Sequence, residues 1–321
     1  MPLVQVSDLS VEFGPPARPV RAVSHVDLAI EPGEIVGIAG ESGSGKTTLC
    51  AALIRALPRT ARVSGEVTFD NHSIYAMSPR ELRNLRGREI SMILQNPMTS
   101  LDPLFTIGNQ LGEVLSTRGA VVANALHSRE VELLRSVHLT APEARLKQYP
   151  HELSGGMRQR ILIAMASATA PKLLLADEPT TALDATIQEE ILVLFRDIRD
   201  QHGTAIAIIT HDLGVIRRIC DRVVIMYAGR IVEEGPVETV FTAPRHPYTR
   251  ALLASIPVLD EERVILQAIP GQVPNLAELG DFCPFAERCP AVVDRCRAQS
   301  PPESPIGERH RVFCWRAGEA A

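Results

Sequence analysis

The sequence predicts an α/β fold, with a mostly parallel core sheet, an inserted helical subdomain and a small C-terminal Cys-rich extension. Three observations carry this expectation. Short apolar strand-like runs alternate with helical stretches through most of the chain. A glycine-rich segment, residues 40–47, lies between one such strand and a helix. Cys283, Cys289, Cys296 and Cys314 crowd together after the strands give way to Pro- and Arg-rich sequence.

Ile35–Ala39, residues 172–176 and Ala205–Thr210 are short apolar runs bounded by Gly, Pro or charged residues, the pattern of buried parallel strands. In residues 104–137 the apolar positions recur at mixed three- and four-residue steps, which predicts the helical insertion, placed overall at about 96–168. The boundary between a domain at 1–250 and an extension at 251–321 is expected where Pro and Arg become frequent. At 321 residues with 45% hydrophobic and 22% charged, the composition is that of a globular protein with a sizeable core. No apolar run approaches the roughly 20 residues of a membrane span. Residues 3–6 are strand-like with no basic-then-apolar leader before them, so a cytosolic location is expected. A net charge of −5 argues against a nucleic-acid partner.

The segment Gly40-Glu41-Ser42-Gly43-Ser44-Gly45-Lys46-Thr47 fits a P-loop in its required context, after a strand and opening a helix. Its glycines let the backbone wrap so that successive N–H groups face phosphate oxygens, and the helix N-terminus adds the positive end of its dipole. Lys46 supplies a point charge, Thr47 offers a hydroxyl to Mg²⁺, and Ser42, Gly43, Ser44, Gly45 and Thr48 complete the candidate cradle. Leu49, Leu53, Ala56 and Leu57 share one face of the following helix, which Pro58 ends, and Cys50 is expected in the core. The strand 172–176 leads into Asp177 and Glu178, two adjacent carboxylates at a sheet edge. Alone, such a pair is a solvated strand cap; with a P-loop, Asp177 suits Mg²⁺ and Glu178 suits polarisation of the attacking water.

Leu153-Ser154-Gly155-Gly156-Met157-Arg158-Gln159-Arg160 resembles the signature sequence of ABC ATPases. Ser154 and the two glycines open an apolar helix at 157–168, a second anion site by the same physics as the first. The resemblance implies a P-loop NTPase core of ABC type with an antiparallel β subdomain, ATP and Mg²⁺ as ligands, and a dimer in which Ser154, Gly155, Gly156 and Gln159 face the partner's nucleotide. It also implies roles for Gln95 as the Q-loop glutamine near Mg²⁺ and water, for Ala182-Leu183-Asp184 as the D-loop, and for His211 as the switch histidine. Phe13 is the candidate for stacking on adenine, with His25 and Tyr75 as alternatives and a core role for Phe13 left open.

Three further stretches resemble the ATPases of peptide and nickel importers: residues 95–103 (QNPMTSLDP), 149–152 (YPHE) and 246–249 (HPYT). That subfamily implies a sister ATPase subunit in a heterodimer, two transmembrane permease subunits and, indirectly, an extracytoplasmic substrate-binding protein, with this chain peripheral at the cytoplasmic face of the membrane. It also implies a 4Fe-4S cluster on Cys283, Cys289, Cys296 and Cys314; four thiolates suit one, with zinc as runner-up and reduced buried cysteines as the plain alternative. Soluble ABC ATPases acting on DNA or ribosomes are argued against by these stretches, by the acidic charge and by the absence of sustained heptads.

Overall fold

The structure, a computed structural model, describes residues 1–95, 97–117, 123–181, 183–255, 269–307 and 309–318. In chain order it begins with strands β1 (Val4–Phe13), β2 (Val20–Ile30) and β3 (Ile35–Ala39), helix α1 (Lys46–Leu53), and strands β4 (Arg62–Phe69) and β5 (His72–Ser73). Helix α2 (Pro79–Leu85), strand β6 (Ile90–Ile93), and helices α3 (Pro97–Ser100), α4 (Ile107–Thr117), α5 (Leu126–Ser136), α6 (Pro142–Arg145) and α7 (Gly155–Ser167) follow. Then come β7 (Leu173–Asp177), α8 (Ala185–His202), β8 (Ala205–Thr210), α9 (Leu213–Ile219), β9 (Arg222–Tyr227) and β10 (Arg230–Pro236). The last elements are α10 (Val237–Thr242), α11 (Pro247–Ala254), α12 (Asp294–Ala298), β11 (Ser304–Gly307) and β12 (His310–Val312).

These elements form two compact units. The first comprises Met1–Ile30, Ile35–Tyr75 and the chain from Ile209 onward. Its antiparallel sheet runs β2-β1-β4-β5, and along β1 the residues Val4, Val6, Leu9 and Val11 are buried while Ser7 and Asp8 face solvent. Its second sheet runs β11-β12-β10-β9-β3, with β3 parallel to β9. All five residues of β3 and all six of β9 are buried, so neither strand shows the alternation of a half-exposed one.

The second unit comprises Glu31–Glu34 and Ala76–Ile208. Its strands run β8-β7-β6, with β6 parallel to β7 in the register Ile90↔Leu173. Its helices start on local signals. Ser78 and Glu81 form a reciprocal capping box for α2, and Ser154 and Asp184 cap α7 and α8 by accepting the N–H groups of Met157 and Ile187. The helical character of residues 104–137 resolves into α4 and α5, which bury Ile107, Leu111 and Leu115, and Val131, Leu133 and Leu134.

Two expectations need correction. Helix α1 ends at Leu53 instead of running to Pro58: Arg55 turns left-handed at φ 52°, the N–H of Ala56 returns to Ala51 O at 2.7 Å, and Ala56 is exposed. This is a C-terminal wrap formed without glycine. Strands also do not fade after residue 230. Two short strands return near the end of the chain, pairing Glu233↔Val312 and Glu234↔Arg311 along β10.

Candidate active site

The phosphate-loop candidate belongs to the first unit. Residues 40–45 leave the buried end of β3, and α1 begins at Lys46. Gly40 has φ 153°, and a Cβ there would lie 2.1 Å from Met226 O; Gly45, at φ 96°, would place one 2.2 Å from Ala22 O. Backbone crowding on both sides therefore requires glycine at these two positions. Lys46 is buried and folds back on the loop, its Nζ donating to Gly40 O at 2.8 Å, Glu41 O at 2.9 Å and Ser44 Oγ at 3.3 Å. Ser44 is buried, whereas Ser42, Gly43 and Thr47 are exposed and Thr48 is half-buried. An exposed hydroxyl at Thr47 is open to a hard cation.

Cys50 is fully buried on α1, as expected of a small core residue. Phe13 is half-buried at the end of β1, paired with Val20. His211 is exposed directly after β8, and the next residue, Asp212, caps α9 by accepting from Gly214 N at 2.8 Å.

The carboxylate candidates belong to the second unit. Asp177 ends β7 and is 3% exposed; Glu178 is half-buried and adopts φ 48°, a left-handed conformation unusual for a glutamate. That turn brings Glu178 to Gln95, whose Nε2 donates to Glu178 Oε2 at 3.0 Å. Thr181 Oγ1 donates to the same oxygen at 2.9 Å. Two donors on one carboxylate oxygen fix the side chain. The pairing of Gln95 with Glu178 joins residues 83 positions apart, which the sequence assigned separately. Thr181 was missed, although its place three residues after Glu178 in the turn is the available signal.

Ser154 is exposed at the start of α7, Gly155 and Gly156 are half-buried, and Gln159 is buried. Arg160, one position further, is buried and tied to Glu190 and to Val137 O, which anchors the helix beneath this candidate anion site. Asp184 is exposed at the start of α8, and Leu183 is half-buried; Ala182 of the D-loop and Asn96 beside Gln95 lie outside the described residues.

The thiols are gathered. Cys283 N donates to Cys296 O at 3.0 Å. Burial pushes the Cys283 thiol up to about 12, and the neighbouring Cys296, Cys314 and Cys289 add to the shift. Cys289 and Cys314 are raised by burial and by the other thiols in the same way. Among the described residues, however, no group of three or more His, Cys, Asp or Glu side chains is arranged to hold a metal ion. The donor chemistry fits a cluster or zinc, but the side-chain arrangement does not form the site.

The stretch 246–249 also has a structural role that its motif did not disclose. The N–H groups of Arg245 and His246 donate to the fully buried carboxylate of Glu233 at 2.8 Å, and His310 of β12 meets the same carboxylate at 2.9 Å. No helix of the described residues is long and apolar enough to cross a membrane.

Comparison with known proteins gives two family matches: residues 23–181 with the ABC transporter family, and residues 232–296 with the oligopeptide/dipeptide transporter C-terminal region. A probable peptide ABC transporter ATP-binding protein, y4tR of Sinorhizobium fredii, is 48% identical, the alignment covering 99% of this chain and 96% of that protein. The oligopeptide transport ATP-binding protein OppD of Salmonella typhimurium is 45% identical, over 94% of this chain and 90% of its own. The dipeptide transport ATP-binding protein DppD of Escherichia coli is 41% identical, over 98% of this chain and 96% of its own. Among solved structures, the ATP-binding cassette MJ0796, a dimer in a post-hydrolysis state with ADP and Pi, aligns with TM-score 0.65 and 30% identity, covering 73% of this chain and 98% of that one.

Proposed function

Because this chain belongs to the ABC transporter ATP-binding family and carries its oligopeptide/dipeptide C-terminal region, we propose that it is the ATPase subunit of an importer of dipeptides or oligopeptides. Its fold is the ABC cassette. ATP binding closes two cassettes face to face, this one and a sister subunit, and hydrolysis reopens them. The closure moves two permease subunits, fed by an extracytoplasmic substrate-binding protein, from the cytoplasmic face of the membrane. The observation that carries the reading is identity of 41–48% to peptide transport ATP-binding proteins across nearly the whole chain. Exposed apolar side chains at Leu94, next to Gln95 in sequence, and at Leu104 and Phe105 further along the second unit support a docking surface there for the permeases.

In this reading Lys46 and the loop N–H groups hold the triphosphate, Thr47, Asp177 and Gln95 serve Mg²⁺, and His211 contacts the γ-phosphate. Glu178 polarises the attacking water. Its hydrogen bonds from Gln95 and Thr181 support that role, because they aim the carboxylate from a fixed turn. Ser154, Gly155, Gly156, Gln159 and Asp184 serve the sister subunit's nucleotide, and Phe13 stacks on adenine. We extend the proposal to the cysteines: Cys283, Cys289, Cys296 and Cys314 would ligate a structural 4Fe-4S cluster, with zinc as the alternative; thiols near enough to raise one another support it, and ligation would have to draw them out of their present arrangement, which among the described residues holds no metal geometry.

Co-expression with candidate permeases tests the transport assignment. The complex should take up labelled di- or oligopeptides with ATP hydrolysis coupled to uptake, and peptide-independent co-purification with ribosomes or DNA in place of permeases would refute it. Iron and acid-labile sulfide with visible absorbance in anaerobically purified protein are expected; stoichiometric zinc without iron would replace the cluster by zinc.

A further inference from the structure

Glu41 places a carboxylate one residue into a loop that is otherwise built to attract phosphate. Left alone, that charge would repel the triphosphate. The first unit deals with it directly. Arg288 takes both carboxylate oxygens, Nη1 to Oε2 at 2.7 Å and Nη2 to Oε1 at 3.1 Å. The Tyr248 hydroxyl accepts the Glu41 N–H at 2.9 Å, and the Glu41 carbonyl accepts from Lys46 Nζ at 2.9 Å. Three separate groups thus hold one residue of the loop.

Arg288 is itself fixed independently of Glu41. It is 5% exposed, donates to Pro270 O at 2.9 Å and Ile269 O at 3.2 Å, and reaches the Tyr227 hydroxyl at 3.1 Å. Its guanidinium also lies over the rings of Tyr227 and Phe285, 5.7 and 5.9 Å from their centroids. The C-terminal segment has its own attachment to the unit through β12 and β10. The ion pair with Glu41 is therefore not what holds the segment in place, and its bidentate geometry is directed at the loop.

We propose that Arg288 is a positioning residue for the phosphate loop, neutralising and orienting Glu41 so that the loop presents its N–H groups to the triphosphate without a net negative charge. Arg288 belongs to the Cys-rich segment, so that segment contributes to nucleotide affinity. Lys46 now donates to the Glu41 carbonyl and must turn outward to reach a phosphate; Arg288 and Tyr248 keep Glu41 in place when it does. This inference rests on the assignment of residues 40–47 to nucleotide phosphates.

The test is Mg-ATP and Mg-ADP affinity of the full chain by displacement of a fluorescent nucleotide, with KM and kcat measured alongside. Arg288→Ala should weaken ATP binding about tenfold, the scale of one charge-assisted pair. ADP, with less charge, should lose less. The change should appear in KM with kcat little altered, and Arg288→Lys should restore part of it because charge returns without the fork. In a Glu41→Gln background the Arg288→Ala loss should shrink to about twofold or less, since no carboxylate remains to neutralise. An equal loss for ATP and ADP, or an undiminished loss in the Glu41→Gln background, would overturn the proposal and leave Arg288 as packing. Wild-type protein that binds no Mg-ATP overturns the phosphate-loop assignment itself, whereas wild-type binding with Arg288→Ala unchanged overturns only this proposal. Should Arg288→Ala fail to fold, the same comparison is made with Arg288→Lys in both backgrounds.

Discussion

The phosphate loop of the first unit and the carboxylate turn of the second are built by opposite means. In the proposed phosphate loop the backbone is the working part: Gly40 and Gly45 are hemmed in by the carbonyls of Met226 and Ala22, and the proposed ligand groups are N–H dipoles with one lysine. In the turn the side chains are the working part, with Glu178 held in a left-handed conformation and supplied with hydrogen bonds by Gln95 and Thr181. A single added methyl should destroy the first without changing any charge, and a single changed atom should disable the second without disturbing the fold. Geometry limits one site and chemistry the other.

The largest effect expected of this contrast is at Gly40. Gly40→Ala puts a Cβ 2.1 Å from a backbone oxygen that belongs to a fully buried strand, so no flexible side chain is available to yield. We expect nucleotide binding to be abolished and the melting temperature to fall, a cost of about 4 kcal/mol or more at a site of this kind. Near-normal Mg-ATP affinity in this variant would break the claim that the loop is limited by backbone space. Glu178→Gln comes next. It keeps the shape of the turn and the contact with Gln95 but removes the proposed base, so turnover should drop by about 10²–10⁴-fold with ATP binding retained. Normal turnover would end the assignment of Glu178, and loss of binding would show that the turn, too, depends on geometry.

The same contrast explains what was legible in the sequence. β3, β7 and β8 were found to within a residue because a strand buried on both faces leaves an uninterrupted apolar run, and the glycine-constrained loop between β3 and α1 because its glycines fall at fixed offsets. Matches to the ABC transporter family then support the fold as a whole. The early end of α1 was hidden because Arg55, not glycine, takes the left-handed position. β11 and β12 escaped notice because strands of four and three residues carry too few side chains to show alternation. The pairing of Glu41 with Arg288 and Tyr248 was missed for another reason: these contacts span more than 200 positions in sequence, and no local pattern records a partner at that distance.

A third prediction sharpens the comparison through pH, because the C-terminal segment is fastened through the buried carboxylate of Glu233 with His246 and His310 around it. Burial pulls His246 down to about 4, against an opposing pull from Glu233. Burial also pushes Glu233 upward, but hydrogen bonds from His310 and the N–H groups of His246 and Arg245 outweigh it and leave the carboxyl below its ordinary value. Both folded values lie below the unfolded ones. The unfolded chain therefore binds more protons as pH falls, and stability contributed by neutral His246 and charged Glu233 is lost. For His246 the window runs from about 6.5 down to about 4, an effect of roughly 3 kcal/mol. Melting temperature should decline across that window, and His246→Gln should flatten the decline. A decline of unchanged size in that variant would assign it to other groups.

The smallest effect expected is at Thr181, and it decides how the turn works. Thr181→Val keeps the shape and removes one of the two hydrogen bonds on Glu178 Oε2, leaving that from Gln95 at 3.0 Å. Thr181 is exposed, so water replaces part of what is lost and the deficit should stay near 1 kcal/mol, about three- to tenfold in turnover. The loss should fall on kcat with KM for ATP unchanged, since the hydroxyl acts through Glu178 and not on the nucleotide. If KM rose instead, Thr181 would be acting on the nucleotide. If Thr181→Val matched Glu178→Gln, the turn would depend on backbone placement as strictly as the glycine loop does, and the division between a site limited by space and one limited by chemistry would fail.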